Sequence, residues 1–364
     1  MRATLRWLGT TLLSLAILLC FAPTLVPPFL DRIYYEGPAS GHYDGARFFN
    51  PDPDAPRPPR PGSVFTRMLR AEGRAEWPAQ VPVTPTVPSR RIAGNDMRVT
   101  WIGHATVLVQ TAGLNILTDP IWSERASPFS FAGPRRVRVP GVRFEDLPRI
   151  DLVLVSHNHY DHLDLATLRR LWARDRPLIV TSLGNDTILR RAGIDAQARD
   201  WGGRVAAGSA EVIVERNHHW GSRWFTDRNR ALWSAFTVRT PAGNIFFAGD
   251  TGWGDGAWVR EAARRGPYRL AILPIGAYAP RDVMEANHLN PEEAMRVFVI
   301  LDPVQAIGMH WGTFQLTWEP IDEPRQRLAV LSRVRGLAPG RFVTTEAGQA
   351  FSVPLAPQRG ANAR

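Results

Sequence analysis

From residue 97 onward, short apolar runs recur along the chain, and polar residues collect where each run ends. Runs of four or more residues rich in β-branched and aromatic side chains predict β-strands. The run 98–110 is turned by Thr111-Ala112-Gly113 into a return strand. In chain order, the predicted strands are Arg98–Gln110, Leu114–Thr118, Asp151–Val155, Glu211–Glu215, Asn244–Ala248, Ala271–Ile275 and Ala306–Met309.

Two segments have the spacing of amphipathic helices. Leu165–Trp172 follows Asp164, a residue type that caps helix N-termini. The second helix begins at Asn290-Pro291-Glu292-Glu293, with a cap, a proline at the first helical position and an acid at the third, and should run to about Leu301. Strands with helices between them, and polar residues at the strand ends, predict an α/β protein whose site is built from loops.

The first thirty residues follow a different pattern. Arg2 and Arg6 precede an uncharged, largely apolar stretch, Trp7–Leu30, and ~20 such residues in a helix suffice to cross a bilayer. We expect residues 1–30 to form a membrane anchor with both arginines on the cytoplasmic side. A cleaved signal segment and a buried helix are the alternatives.

Composition changes again between this stretch and the globular part. Residues 51–61 contain six prolines, which favour extended backbone and exclude helix. We therefore interpret residues 31–95 as a Pro-rich arm that wraps or spaces, residues 96–355 as the folded domain, and residues 356–364 as a flexible tail.

The overall composition limits the chemistry more than the fold. The 364 residues are 44% hydrophobic, which allows a full core, and 44 basic residues, all arginine, against 34 acidic ones give a net charge of +10. That charge suits a nucleic acid, an anionic membrane or an anionic substrate. The single cysteine, Cys20, excludes an intrachain disulfide framework and a cysteine-based zinc site. Any metal must therefore be held by His, Asp and Glu.

The candidate chemistry is concentrated in His157-Asn158-His159-Tyr160-Asp161-His162, directly after the predicted strand Asp151–Val155. Three of the nine histidines fall within these six residues, which makes a chance cluster improbable. Zinc accepts imidazole nitrogen and carboxylate oxygen. In an extended loop the two histidines separated by one residue point the same way, and Asp161 with His162 can face a second ion.

Three later strand ends carry residues of the same kind. His218-His219, Asp250 and His310 each follow a predicted strand. Each alone is more readily explained as a structural residue, but together with the first loop they form one repeated pattern of strand followed by candidate ligand.

This order of residues resembles the metallo-β-lactamase fold superfamily. The resemblance implies an αβ/βα four-layer sandwich, here preceded by the N-terminal transmembrane helix, with two zinc ions at one edge. Of the adjacent His218 and His219 we prefer His219, because it directly precedes Trp220 as in the family's His-Trp pattern. The resemblance implies one zinc ion on His157, His159 and His219, the other on Asp161, His162 and His310, and both on Asp250.

A finer resemblance is to the bacterial and animal N-acyl-phosphatidylethanolamine-hydrolysing phospholipases D. It covers most of residues 97–320, and the chain departs from the family pattern at Asn217-His218, where Ala-Gln is expected. It implies an anionic phospholipid substrate, a membrane surface as partner and no nucleic acid. The N-terminal span, with its two arginines on the inner side, predicts a bacterial cytoplasmic-membrane protein with a single-pass anchor and a catalytic domain on the periplasmic side. The segments that carry the resemblance are Trp101–Thr106, Leu117–Pro120, Ser156–Asp164, Ala248–Gly252, His288–Ala294 and His310–Phe314.

The resemblance also implies a mechanism. Two zinc ions would lower the pKa of a bound water, so that hydroxide can attack phosphorus, with Asp161 and Asp250 as the carboxylates of the reacting centre. The leaving alkoxide needs a proton, which His288 or a second water could supply.

Three further residues are candidates for supporting roles. Asp119 and Asp164 could orient metal-bound imidazoles, although Asp164 is equally well explained as a helix cap. His104 is either a core histidine or a partner of the ligands.

Other functions remain open at this point. The superfamily also contains phosphorylated-sugar lactonases and nucleases, and a chain can retain metal as a binding protein. The aromatic and basic segments 129–140 and 220–233 suit lipid phosphate at an interface or a single-stranded nucleic acid. Acyl-chain preference and oligomeric state do not follow from the sequence.

Overall fold

The computed structural model describes residues 2–52, 55, 73–224 and 226–355 except residues 26–31, and within its first helix it describes the side chains of residues 7–18. The predicted tail 356–364, most of the proline-rich run 51–61 and the side chain of Cys20 lie outside the described residues.

Two seven-stranded sheets form the centre of the fold. The first has the order β14-β1-β2-β3-β4-β5-β6, and the second β13-β12-β11-β10-β9-β8-β7. Each sheet changes from antiparallel to parallel pairing, at β3 in the first and at β10 in the second. The strands are β1 Met97–Gly103, β2 Thr106–Thr111, β3 Leu114–Thr118, β4 Leu152–Val155, β5 Leu178–Ser182, β6 Gln197–Arg199, β7 Arg204–Ala207, β8 Ala210–Glu215, β9 Ala235–Arg239, β10 Asn244–Phe247, β11 Tyr268–Pro274, β12 Gln305–Met309, β13 Phe342–Val343 and β14 Ala350–Ser352.

Helices cover the outer faces of both sheets. On one side α2 and α3 pack on the first sheet, and on the other α4, α6 and α7 pack on the second. A short 3-10 helix spans Phe144–Asp146. The α-helices are α1 Arg2–Leu25, α2 Leu165–Asp175, α3 Asn185–Arg191, α4 Ala257–Ala263, α5 Arg281–Met284, α6 Pro291–Leu301 and α7 Glu323–Val334.

Strand β4 shows how the layers are joined. Leu152 and Leu154 point into the core between the two sheets. Val153 and Val155 point into the core beneath α2 and α3. A strand buried on both faces reads as an unbroken apolar run, which is why the sequence predicts this one. The predicted αβ/βα sandwich is therefore confirmed.

The predicted transmembrane helix is wrong. Among the residues that the structure describes, no helix is long and apolar enough to cross a membrane. The predicted single-pass anchor, and with it the cytoplasmic-membrane location with a periplasmic catalytic domain, is corrected by the same finding.

Several local predictions hold. The Asp164 side chain accepts a hydrogen bond from the Ala166 amide at the start of α2. Asn290 and Glu293 form a complete capping box at the start of α6, which ends at Leu301 as predicted.

The predicted strand 98–110 is two strands instead. Gly103 and His104 both have positive φ, at 141° and 54°, and the Thr313 hydroxyl accepts the His104 amide hydrogen at 2.8 Å. The chain turns there and returns as β2, so the bend places His104 at the same edge as the candidate ligands.

The described part of the arm lies against the domain. Tyr43 and Phe48 pack with Leu232 and Trp233 in a separate apolar cluster, and Val81 forms a β-bridge with Arg138. The arm segment 32–52 therefore follows the surface beside the loops that carry the candidate ligands.

Candidate metal centre

The ends of four strands place the predicted ligands at one edge of the sandwich. His157 follows β4, His219 follows β8, Asp250 follows β10 and His310 follows β12. Parallel strands of a sheet share the edge at which their carboxyl ends meet, and sites in α/β folds form there. Residues separated by more than 150 positions in the chain thus face one another.

The first donor group consists of His157, His159 and His219, whose ligand atoms lie within 4.8 Å of one another. His157 Nε2 is 2.8 Å from His159 Nδ1, and the ring centroid of His219 is 4.7 Å from that of His157. Three imidazole nitrogens converging in this way match the ligand set of a catalytic zinc site.

The second donor group consists of His104, Asp161, His162 and His310. His162 Nε2 is 3.2 Å from Asp161 Oδ2 and 3.2 Å from His310 Nε2. The group is buried, with its two later histidine side chains wholly inaccessible.

Asp250 lies against the second group and near the first. Its Oδ2 is 3.1 Å from His162 Nε2 and 3.0 Å from His310 Nε2. It also lies with His219 and His288 within a ligand-spaced cluster. One carboxylate therefore faces donors of both groups.

The residues fit a cation on the evidence of their own unpaired atoms. His159 Nε2, His219 Nε2 and Asp250 Oδ1 are buried without a hydrogen-bond partner in the described structure. Leaving such an atom unpaired costs about 1–3 kcal/mol, and native structures contain few of them. A bound cation would satisfy all three, and a set of imidazole and carboxylate donors suits zinc.

Burial sets the protonation state of the first group. It lowers the pKa of His157 and His219 well below the usual range and that of His159 to about 4. These rings are therefore neutral near pH 7, and neutral imidazole is the form that binds metal.

The second group is strongly coupled to its carboxylates. Burial alone would lower the pKa of His310, but Asp250 and Asp161 outweigh it and raise the value to about 9. Burial opposes ionisation of Asp161 and Asp250, yet the neighbouring His162 holds the pKa of both well below the usual range. The carboxylates are charged, and this half of the site attracts positive charge.

Asp119 holds the loop that carries His157 and His159. Its Oδ1 accepts the Ser156 amide at 2.7 Å, and its Oδ2 lies 2.6 Å from both the Ser156 hydroxyl and His162 Nδ1. The Nδ1 of His162 is thus the donor, and its Nε2 is left facing Asp161, Asp250 and His310. A contact of this kind is what the orienting role predicted for Asp119 requires.

The other two supporting candidates have different surroundings. His104 Nε2 is 2.8 Å from Asp161 Oδ2, and its ring lies 4.0 Å from that of His310, so it touches the second group. Asp164 instead receives hydrogen bonds from Ala166, Thr167 and Ser123 at the start of α2.

The geometry distinguishes between the two adjacent histidines. His218 Nδ1 bonds to the Asp52 carboxylate. His219 Nδ1 lies 2.9 Å from the Asn287 carbonyl, which leaves its Nε2 among the other imidazoles. Asn217, which departs from the family pattern, donates to the Ala248 and Asp250 carbonyls at 2.9 Å each.

His288 lies beside Asp250 and His219. Its Nδ1 is 3.9 Å from Asp250 Oδ2 and has no hydrogen-bond partner among the described residues. Its ring centroid is 5.1 Å from that of His219. The residue is placed where a group bound at the centre could meet it.

Sequence reasoning missed several residues that hold the site, or gave them another role. Asn50 and Asp52 belong to the arm, where nothing in the local pattern indicates chemistry. Arg223 was a candidate for lipid contact, but its guanidinium donates to the Asn158 and Leu163 carbonyls at 3.0 and 2.8 Å. It therefore holds the first loop.

The arginines of the segment 129–140 also bond within the protein. Arg136 donates to the Ser123 and Ile121 carbonyls, and Arg138 donates to the Gly312 carbonyl. The exposed residues of this segment include Phe131, 78% accessible.

Comparison with known proteins agrees with this architecture. The family described as the beta-lactamase superfamily domain matches residues 114–311. The N-acyl-phosphatidylethanolamine-hydrolyzing phospholipase D 1 of Caenorhabditis elegans is 36% identical over 350 residues, 90% of this chain and 97% of that protein. A metal-dependent hydrolase of Pyrobaculum islandicum is 27% identical over 244 residues, 66% of this chain and 95% of that protein.

A solved structure shows the same fold. The isothiocyanate hydrolase from Delia radicum gut bacteria superposes with a TM-score of 0.56 and 20% identity, over 71% of this chain and 99% of that chain. The chain belongs to the β-lactamase superfamily, as a metal-dependent hydrolase related to the phospholipases D that hydrolyse N-acyl-phosphatidylethanolamine.

Proposed function

We propose that this protein is a binuclear zinc hydrolase that cleaves the phosphodiester of N-acyl-phosphatidylethanolamine, releasing phosphatidic acid and N-acylethanolamine. The observation that carries the proposal is the position of Asp250. It lies against His162 and His310 and also groups with His219 and His288. Two donor groups that share one carboxylate suit a pair of ions.

The ligand assignment follows the two donor groups. His157, His159 and His219 would hold one ion, Asp161, His162 and His310 the other, and Asp250 both. When bound, two zinc ions supply Lewis acidity to the phosphoryl oxygens and a water of lowered pKa.

The residues around the ions would orient the ligands and assist the leaving group. Asp119 fixes the tautomer of His162, and His104 holds Asp161. Burial lowers the pKa of His288 to about 4, so its ring is neutral near pH 7. In that form its N–H can donate a hydrogen bond to the departing alkoxide oxygen.

The choice of lipid rests on the C. elegans relative, which is named for the hydrolysis of N-acyl-phosphatidylethanolamine. Its match extends over 90% of this chain and 97% of that protein. The net charge of +10 agrees with an anionic phospholipid.

The test is incubation of zinc-loaded protein with N-acyl-phosphatidylethanolamine in mixed micelles, followed by mass spectrometry of both products. We expect phosphatidic acid and N-acylethanolamine in equal amounts, with none from His159→Ala. His42→Ala is the matched control, since His42 stacks on Trp201 and bonds to Asp200 away from the centre. Cleavage of bis(p-nitrophenyl) phosphate without cleavage of the lipid would retain the hydrolase and reject the substrate. Lipid turnover no faster than that of His159→Ala would reject the proposal.

A further inference from the structure

The loop Arg216–Gly221, which carries His219, is held by residues far from it in the chain. Asn50 donates its side-chain N–H to the His219 carbonyl at 2.8 Å. The same amide accepts a hydrogen bond from Trp233 Nε1 at 3.0 Å. Because Trp233 is fully buried, Asn50 connects the backbone of a candidate ligand to a fixed point of the core.

Asp52 makes a second contact with this loop. Its side chain is 1% accessible, and its carboxylate pairs with the Arg216 guanidinium and with His218 Nδ1. These residues lie on the N-terminal side of His219. Gly254 leaves room for this contact, because a Cβ there would come within 2.8 Å of both Asp52 Oδ2 and His218 Nδ1.

The arm is itself fixed in place before it reaches Asn50. Tyr43 and Phe48 are 3% and 1% accessible and pack with Trp233 and Leu232. The Phe48 amide donates to the Asn229 carbonyl at 2.8 Å. The contacts of Asn50 and Asp52 are therefore made from an ordered segment.

A third arm residue reaches the same region. The Tyr34 hydroxyl donates to Asp227 Oδ2 at 2.7 Å. The other oxygen of Asp227 accepts hydrogen bonds from the Arg223 and Trp224 amides. Arg223 in turn holds the loop of His157 and His159 through the Asn158 carbonyl. The arm thus supports both candidate ligand loops, directly at His219 and indirectly through Arg223.

We propose that the end of the arm supports the metal centre, with Asn50 and Asp52 as positioning residues for His219. The His219 ring is held by the Asn287 carbonyl, its own carbonyl by Asn50 and its neighbour His218 by Asp52. Three contacts from three parts of the chain fix where Nε2 points. Outer partners of this kind preserve metal affinity by keeping ligands in position.

This inference rests on the metal centre of the proposed function and is independent of its substrate. The test compares Asn50→Ala and Asp52→Asn with the wild-type chain, using zinc competition against a chromophoric chelator and the visible spectrum of the cobalt-substituted protein. Asp44→Asn is the matched control on the same arm, since Asp44 accepts hydrogen bonds only from Ala46 and Arg47 among the described residues.

We expect both variants to bind the zinc ion that His219 would hold roughly tenfold less tightly or worse, with a changed cobalt spectrum, while Asp44→Asn matches the wild type. Circular dichroism at the assay temperature identifies variants that do not fold. If Asp52→Asn does not fold, Asn50→Ala alone tests the inference. Wild-type zinc affinity and cobalt spectrum in folded Asn50→Ala would overturn the inference alone. Absence of zinc binding by the wild-type chain would overturn the proposed function and this inference together.

Discussion

Two loops bring imidazoles to the same centre, and they are built in opposite ways. The loop His157–His162 supplies three histidines and an aspartate from six consecutive residues, directly after a strand buried on both faces. The loop Arg216–Gly221 supplies His219 alone and depends on Asn50, Asp52 and the Asn287 carbonyl to hold it.

The two loops differ in where their supporting contacts come from. The first loop is positioned by its own strand and by Asp119 at the end of the neighbouring one, and Arg223 adds one support from a distant part of the chain. The second is followed by no helix or strand among the described residues before β9, and contacts from elsewhere must fix its geometry. Substitutions that affect the first loop should therefore act on the centre mainly through the buried Asp119. Substitutions that affect the second loop should each remove one of several weaker contacts.

The largest effect should come from the residue that serves both loops. Asp250→Asn removes the charge that faces His162 and His310. We expect hydrolysis to fall on the order of 10³-fold, because several kcal/mol of transition-state stabilisation depend on the ions it would hold. Steady-state kinetics with metal content measured on the same sample checks this. Activity within tenfold of the wild type would show that the two donor groups do not share this carboxylate.

A smaller effect should follow from Asp119→Asn, which loosens the first loop alone. The amide cannot accept from Ser156 and His162 as the carboxylate does, so we expect zinc affinity to fall roughly 10–100-fold. Chelator competition measures it, with Asp151→Asn as the control, because Asp151 pairs with Arg91 at the other end of β4. An unchanged affinity would mean that the loop is held by its backbone alone.

The smallest effect should come from the start of α6, which lies near His288 without holding a ligand. Asn290→Ala removes the capping box and should cost about 1 kcal/mol of unfolding free energy, measured by urea denaturation. Zinc affinity should stay at the wild-type value. A parallel loss of zinc affinity would show that the start of α6 also helps to position the metal centre. The comparison would then have to include this helix start beside the two loops.

The same contrast explains what could be predicted from the sequence. Strand β4 and its loop were predictable because an apolar run and four ligand-type residues stand side by side, and the family's residue order added His219, Asp250 and His310. Asn50 and Asp52 could not be predicted, because an isolated amide or carboxylate in the arm forms no sequence motif. Only the fold brings them to His219.

Two other predictions failed for reasons of context. The run 98–110 is rich in β-formers, and the structure turns it at Gly103 and His104, where the His104 amide meets distant Thr313. The apolar start of the chain suggested a transmembrane helix by composition, and among the described residues no helix is long and apolar enough to cross a membrane.

The most direct test of the centre is the number of zinc ions per folded chain, measured by native mass spectrometry of the wild-type protein after zinc loading and removal of excess metal. Two loops converging on one shared carboxylate predict two ions per chain in the wild type and fewer in Asp250→Asn. A wild-type chain that holds one ion or none would contradict the account.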